Sequence, residues 1–389
     1  MRTDIEDFLG LERNLLLTFG AILALGMGEE LWSRFVPKYL QALGAGAMAV
    51  AAYGTMSDLL SALYQYPGGW LADRMGRRNA LMAFTCLAAF GYVLYLVAPS
   101  WKWVLVGVPF VLAWSSLAQP AIFAAIGDNL PRDRRAIGFG VQSILKRIPI
   151  VLAPPLGGLL MAKFGMVRGI RVGLVTTLAL VPLAFLLLHK YRAECVPNDR
   201  AGIGKIWREI DPGLKRLLVA DCLARWAGGM PKVFVVLYVV DHLKAGAFKF
   251  GLLTSLQMTA SILPYIPVAK LADRWGRRPF VALTFAFFSL FPLSLALAKS
   301  TSWLILAFLT AGLREIGEPA RKALIVDLCP AERRGRSVGV YYLIRGLVVF
   351  PASLLGGWLW GIGPEVPFYV ASCIGLIGLV AFLVGGPKG

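Results

Sequence analysis

Apolar residues run through this chain in long continuous blocks rather than in alternation. Each block is close to the roughly 20 residues that a helix needs to cross a bilayer. Twelve such blocks fall at about 14–36, 48–70, 79–98, 103–128, 137–161, 171–188, 215–241, 249–269, 279–298, 302–328, 336–360 and 366–384. Membrane strands would be shorter and would alternate with period two. The pattern therefore predicts an all-α membrane protein with twelve transmembrane helices, called spans 1 to 12 below. The longest polar connection, 189–214, contains Pro197, Asn198, Asp199, Gly202 and Gly204. It reads as a cytoplasmic linker between an N-terminal six-helix half (1–188) and a C-terminal one (215–389).

Charge gives this bundle an orientation. One set of connections is rich in cations: Arg74, Arg77 and Arg78; Arg132, Arg134 and Arg135; Lys190 through Arg208; Arg274, Arg277 and Arg278; Arg333, Arg334 and Arg336. The alternate set is poorer, with Lys38, Lys102, Lys163, Arg168, Lys244, Lys249 and Lys299. The rich set is expected to face the cytoplasm, which puts both termini inside a cell (inner) membrane. The net charge of +18 then serves topology rather than nucleic-acid binding. With 58% of its 389 residues hydrophobic, the chain is too apolar for a soluble domain. Met1–Arg13 carries Asp4, Glu6, Asp7 and Glu12 and reads as a cytosolic lead-in, with no cleavable signal evident. Cys86, Cys195, Cys222, Cys329 and Cys373 form no CxxC pair and are expected to be small buried hydrophobes. His189 and His242 are too few and too far apart to predict a metal site.

The two halves repeat. Leu71-Ala72-Asp73-Arg74-Met75-Gly76-Arg77-Arg78 returns as Leu271-Ala272-Asp273-Arg274-Trp275-Gly276-Arg277-Arg278, 200 residues later. At an offset of 199, Pro120-Ala121 returns as Pro319-Ala320, Asp128 as Asp327, and Arg134-Arg135 as Arg333-Arg334. Lys146 returns as Arg345 and Gly157-Gly158 as Gly356-Gly357 at the same offset. With six helices per copy both copies share one orientation, which makes them parallel repeats about an axis along the membrane normal.

Gly69-Trp70-Leu71-Ala72-Asp73-Arg74-Met75-Gly76-Arg77-Arg78 resembles the signature loop between spans 2 and 3 of major facilitator superfamily transporters, Gly-x-Leu-Ala-Asp-Arg-x-Gly-Arg-Arg. The second copy has Ala269 in place of the leading Gly. The resemblance, with its twelve spans and basic linker, covers essentially the whole chain and implies that fold. It also implies a cytoplasmic conformational latch at Gly69, Asp73, Arg74, Gly76 and Arg77, repeated at Asp273, Arg274 and Gly276. A plainer reading of the arginines is that they only fix orientation. Gly76 permits a tight turn, and Asp73 sits at a helix edge where a carboxylate can meet an arginine or a helix N-terminus. Ala153-Pro154-Pro155-Leu156-Gly157-Gly158 in span 5 resembles the family's antiporter motif Gly-Pro-x-x-Gly-Gly, with Ala153 for the first Gly. Its plainer reading is a proline kink and close helix packing. No Arg or Lys lies between Lys102 and Arg132, so the span 4 arginine of proton-coupled drug exporters is missing.

Charges inside a span each cost about 2.5–3.5 kcal/mol, so their placement carries information. Spans 3, 6, 9 and 12 have none in their interiors, and the resemblance makes those four the lipid-facing helices. Elsewhere Glu30 and Arg34, Asp221 and Arg225, and the series Arg314, Glu318, Lys322 are spaced i, i+4 and can neutralise one another along a helix face. Lys146, Arg147 and Arg345 have no carboxylate within four positions. Lys146 and Arg147 lie about ten residues into span 5, roughly 15 Å deep and near the midplane where such transporters bind substrate. Lys146, Arg147, Arg345 and Arg314, with Tyr341 and Tyr342, are therefore the substrate-binding candidates. Asp58, alone in span 2, is expected to pair with Arg345 in one conformational state, or else to hydrogen-bond Ser57 or Ser61. Glu29, Glu30, Glu315 and Glu318 are candidate proton carriers, with Asp221 a further ion-pair candidate. Glu315 is the most nearly midplane of them, and a desolvated carboxylate can load and release protons near neutral pH.

These readings predict a monomeric secondary transporter with no cofactor and no metal. Its halves would rock about a cavity lined by spans 1, 2, 4, 5, 7, 8, 10 and 11. Unpaired cations there predict a small organic solute with an anionic group, with Trp32, Trp114, Tyr53 and Trp226 as possible aromatic cover. A multidrug exporter for lipophilic compounds and a non-transporting membrane receptor or scaffold are the alternatives. An enzyme is not expected, because no nucleophile–base pair, His/Cys cluster or phosphate loop is present.

Overall fold

The computed structural model describes residues 13–119, 121–122, 135–190, 211–328 and 334–387. Asp128, Arg132, Arg134, Cys195, Cys329, Arg333 and linker residues 191–210 lie outside the described residues, as do the side chains of Asp73 and Asp273. Every regular element among the described residues is helical. Among the described residues, seven helices are long and apolar enough to cross a bilayer: Leu15–Ala42, Arg77–Val97, Leu145–Phe164, Met166–His189, Arg278–Ala296, Val338–Ile362 and Val366–Gly385. Ala47–Leu63 and Trp101–Leu117 are shorter apolar helices. The protein is a multi-pass membrane protein built from the two six-helix repeats that the sequence predicts.

The spans differ in continuity, and the difference follows the repeat. Spans 3, 6, 9 and 12 run unbroken as Arg77–Val97, Met166–His189, Arg278–Ala296 and Val366–Gly385. Span 1 stops at Glu30 and resumes through Ser33–Phe35 into Val36–Ala42, while span 7 stops at Gly229 and resumes at Val235. Span 2 is interrupted at Tyr64 and span 8 at Leu263 and Pro264. Span 4 widens into a π-helix at Ala113–Leu117, and span 10 opens at Arg314–Gly317. Span 11 breaks at Phe350 and Pro351, whereas span 5 stays continuous over Arg135–Phe164 despite Pro149, Pro154 and Pro155. A break frees backbone polar groups that lipid cannot satisfy. Interruptions are therefore tolerable only on helices that face protein or water. Cys86 in span 3 and Cys373 in span 12 are exposed, which corrects the expectation of burial; Cys222 is buried.

The chain forms two compact units, one containing 1–44 and 63–199, the other 45–62 and 200–389. The division falls within span 2, beside its interruption at Tyr64.

In the first unit span 1 packs on spans 5 and 6, and span 3 on spans 4 and 6. Trp32 closes this core. Its indole N–H donates to Thr177 Oγ1 at 2.9 Å, and Tyr92 and Tyr95 each meet it edge-on at 5.7 Å. In the second unit span 12 packs on spans 7 and 9, and span 10 on spans 8 and 9. The Gly-Gly pairs serve the same purpose in both units. Gly157 of span 5 presses on the carbonyl of Leu31, and Gly356 of span 11 on the carbonyl of Met230. Both carbonyls lie at helix breaks, at positions related by the repeat, and any side chain would push the helices apart.

Candidate functional site

A cluster of ionised side chains sits among spans 7, 10 and 11 in the second unit. Asp221, fully buried in span 7, accepts three hydrogen bonds at Oδ2. The donors are Arg321 Nη1 at 2.5 Å, the Tyr341 hydroxyl at 2.9 Å and Arg345 Nη1 at 3.3 Å. Arg321 also forks onto Glu318, with Nε to Oε2 at 2.9 Å and Nη2 to Oε1 at 2.7 Å. Arg225 Nη2 donates to Glu318 Oε2 at 3.1 Å, and its Nε lies 3.5 Å from Asp221 Oδ1. Aromatic faces back the outer guanidinium groups: Tyr342 lies 4.6 Å from Arg345, and Phe288 4.9 Å from Arg225. Three arginines therefore meet two carboxylates on elements far apart in sequence. Removing one partner from such a buried network typically costs about 3–5 kcal/mol, so its members depend on one another.

The opening in span 10 shapes this cluster. Gly317 lies against the Phe280 carbonyl, where a side chain would not fit, and its freed N–H donates to Thr284 Oγ1 at 2.8 Å. Glu318 then starts a new helix, Glu318–Asp327, with Arg321 one turn on. Arg314 lies on the other side of the opening, so the ladder expected from Arg314 to Lys322 is not a continuous helix face. Its second step survives as Lys322 to Glu318 at 3.9 Å. Arg314 instead lies over Phe291 at 4.4 Å and Phe288 at 5.3 Å, and its Nε donates to the Ala311 carbonyl at 3.0 Å. Glu315 falls within the opening.

The first unit has a smaller polar group on spans 1, 3 and 5. Tyr92 donates its hydroxyl to Glu29 in a short hydrogen bond. Glu30 pairs with Arg34 at 2.9 Å, as the i, i+4 spacing predicts. Lys146 is exposed and lies within electrostatic reach of Glu29 and Glu30; Arg147 is half-buried beside it.

Asp58 does not meet Arg345 here. It accepts a hydrogen bond from Lys232 Nζ at 2.6 Å, at the span 7 break. This ion pair lies on a face of span 2 that otherwise carries small residues. Ala51 packs on Gly357, Gly54 on Val233 and Ser353, and Ala62 on Gly346. Ser57 donates its hydroxyl to the Tyr53 carbonyl. Trp226 Nε1 donates to the Val348 carbonyl at 2.9 Å, and Trp114 is buried.

The signature motif is mostly helix rather than loop. Gly69, Asp73 and Arg74 belong to Gln65–Met75, and Arg77 starts the next helix. Only Gly76 intervenes, at φ 82°, and Gly276 repeats it at φ 86°, after Asp273 and Arg274 in Tyr265–Trp275. A left-handed backbone of this kind is where glycine is needed. Arg74 lies 5.3 Å over Trp70, and Arg277 pairs with Asp327 at the end of span 10. Arg78 donates to His189 at the end of span 6, while Arg278 donates to the Leu383 carbonyl near the end of span 12. Cations are favourable at such helix C-termini.

Sequence reasoning missed Arg321, Lys232 and Tyr92. Arg321 was detectable as the i+3 neighbour of Glu318, but its exposed neighbour Lys322 fits the i, i+4 register better. Lys232 and Tyr92 find their carboxylates on other spans, and no local spacing signals that.

Comparison with known proteins bears on the whole chain. The profile of the Major Facilitator Superfamily matches residues 15–221 and again 217–389. An uncharacterized MFS-type transporter of Methanocaldococcus jannaschii is 22% identical, over 90% of this chain and 89% of its own. A multi-drug resistance efflux pump PmrA homolog of Lactococcus lactis is 23% identical, over 96% and 93%. Among solved structures, a POT family transporter in complex with 5-aminolevulinic acid superposes with a TM-score of 0.81 at 14% identity, covering 98% of this chain and 97% of that one.

Proposed function

The chain belongs to the Major Facilitator Superfamily, and from that premise we propose that it is a secondary carrier for a small organic solute with an anionic group. That it is a transport protein and not an enzyme follows from the family. The proposed cycle is alternating access across the cytoplasmic membrane, by a monomer with both termini inside, coupled to protons.

The observation that carries the anionic reading is the cluster around Asp221. Three arginines and two carboxylates are kept inside an apolar bundle, where each charge is costly and where, among the described residues of the cluster, the arginines outnumber the acids by one. Within the first unit, Lys146 and Arg147 are the cations proposed to bind substrate. For the proton, Glu29 is the best-placed carboxylate. Its hydrogen-bond partner is a neutral phenol, whereas Glu318 and Asp221 are each committed to several arginines. Glu315, at the opening of span 10, is the second candidate.

Flux into proteoliposomes with an imposed pH gradient tests this reading. Organic anions should move faster with the gradient than without it. A preference for cationic dyes, with anions inert, would overturn it and favour a lipophilic-drug exporter. That second reading is supported by the efflux pump among the relatives and by the aromatic faces of Phe288, Phe291 and Tyr342.

A further inference from the structure

We propose that Arg225 and Arg345 together form a receptor for a single carboxylate-type charge, while Arg321 is a fixed counter-ion that holds the acids in place. The proposal deepens the anionic reading above and rests on it. The three guanidinium groups differ sharply in how their hydrogen-bond donors are used. A guanidinium has five N–H donors. Arg321 commits three of its nitrogens at 2.5–2.9 Å and is 1% exposed. Its two remaining N–H groups are sealed from a ligand by that burial.

Arg345 and Arg225 are different. Each makes one hydrogen bond to a carboxylate among the described residues, at 3.3 Å and 3.1 Å. Their side chains are 21% and 28% exposed, unlike that of Arg321. Arg225 Nε and Asp221 Oδ1 are both buried without a hydrogen-bond partner, although they lie only 3.5 Å apart. Arg225 and Arg345 both lie against Asp221, at 3.5 Å and 3.3 Å, which brings their like charges together. Tyr342 and Phe288 lie against the two groups at 4.6 Å and 4.9 Å and help to hold them in place. Two pre-oriented forks with unspent donors suit a planar carboxylate.

Charge sets the valence of the ligand. The hydrogen-bonded cluster holds Arg225, Arg321 and Arg345 against Asp221 and Glu318, an excess of one positive charge. Lys322 is more than half exposed and lies 3.9 Å from Glu318, where water screens it. One negative charge balances the cluster. A dianion would leave it negative inside an apolar bundle, which is unfavourable.

The test uses the full-length protein in an uncharged maltoside detergent, so that no lipid headgroup supplies the anion. Thermal unfolding is followed with benzoate, with the uncharged isostere benzamide, and with phenyl phosphate at a pH where it is a dianion. Benzoate should raise the unfolding temperature saturably, and the other two should not. Arg225→Gln and Arg345→Gln should each weaken the benzoate effect about tenfold or more, with Arg225→Lys and Arg345→Lys intermediate because they keep charge but lose the fork. Without ligand, Arg321→Gln should unfold at a clearly lower temperature than Arg345→Gln. The proposal is overturned if both Gln variants respond to benzoate like the wild type, or if Arg345→Gln is as unstable as Arg321→Gln. If neither benzoate nor other monocarboxylates move the wild type, the anionic reading itself fails and takes this proposal with it.

Discussion

Adding one methyl group to Gly157 or Gly356 should loosen the unit that contains it. At Gly157 a Cβ would fall 2.7 Å from the Leu31 carbonyl carbon and closer still to its oxygen, inside the 3.0 Å that real Cβ atoms keep. At Gly356 the Met230 carbonyl oxygen stands in the same place. The obstacle is backbone rather than a side chain that can swing away, so the helix itself must retreat. Overpacking of this kind costs about 1–3 kcal/mol, against which alanine returns about 0.5–1 kcal/mol of helix propensity. A net loss of about 1–2 kcal/mol should lower the unfolding temperature of a unit this size by roughly 2–8 °C. Gly361→Ala is the control, because nothing lies within 4 Å of a Cβ there. It should be neutral or slightly stabilising. The assay is a tryptophan-fluorescence thermal scan of purified protein in detergent. If Gly157→Ala and Gly356→Ala unfold together with Gly361→Ala, the close-packing explanation of the Gly-Gly pairs is wrong.

Three further outcomes are expected. The Asp58–Lys232 pair is partly exposed and should contribute only about 0–1 kcal/mol, so Asp58→Asn should leave the unfolding temperature nearly unchanged while altering flux, and exchanging the two charges should recover some of it. A large loss of stability in Asp58→Asn would contradict that. Gly76→Ala and Gly276→Ala place a Cβ on left-handed backbone and should each destabilise by about 1–2 kcal/mol, read as a lower midpoint in the same thermal scan. Glu29→Gln keeps an acceptor for Tyr92 and should abolish the stimulation of flux by a pH gradient while sparing solute exchange; undiminished stimulation would remove Glu29 from the coupling scheme.

Much of the fold is legible because lipid imposes simple demands on a helix. The apolar blocks give the spans, and spans 3, 6, 9 and 12, which carry no interior charge, run unbroken in both units. Helix-local pairs are equally readable: Glu30–Arg34 and Asp221–Arg225 follow from their spacing. The helix breaks are only partly readable. Pro231, Pro264 and Pro351 sit at breaks, yet Pro149, Pro154 and Pro155 leave span 5 continuous, so proline alone does not place them. Leu31-Trp32 is as apolar as the helix around it and carries no breaking residue. That is also why the Arg314–Glu318–Lys322 spacing misleads, since it presumes a helix across Arg314–Gly317. Contacts between spans are hidden for a related reason. Arg345 has no acid nearby in sequence, yet it reaches Asp221, 124 positions away. Asp58 reaches Lys232, 174 positions away, rather than Arg345. The charges are visible in the sequence, but their partners depend on which helices meet.

Entrance counterflow tests most directly whether this protein is a carrier. Proteoliposomes are loaded with an unlabelled organic monoanion and diluted into a trace of the same labelled compound, with no ion gradient. A carrier must exchange the two, so label should accumulate transiently above its external concentration. A protein that binds the anion specifically but never produces that overshoot would be a receptor or scaffold, and the transport account would be contradicted.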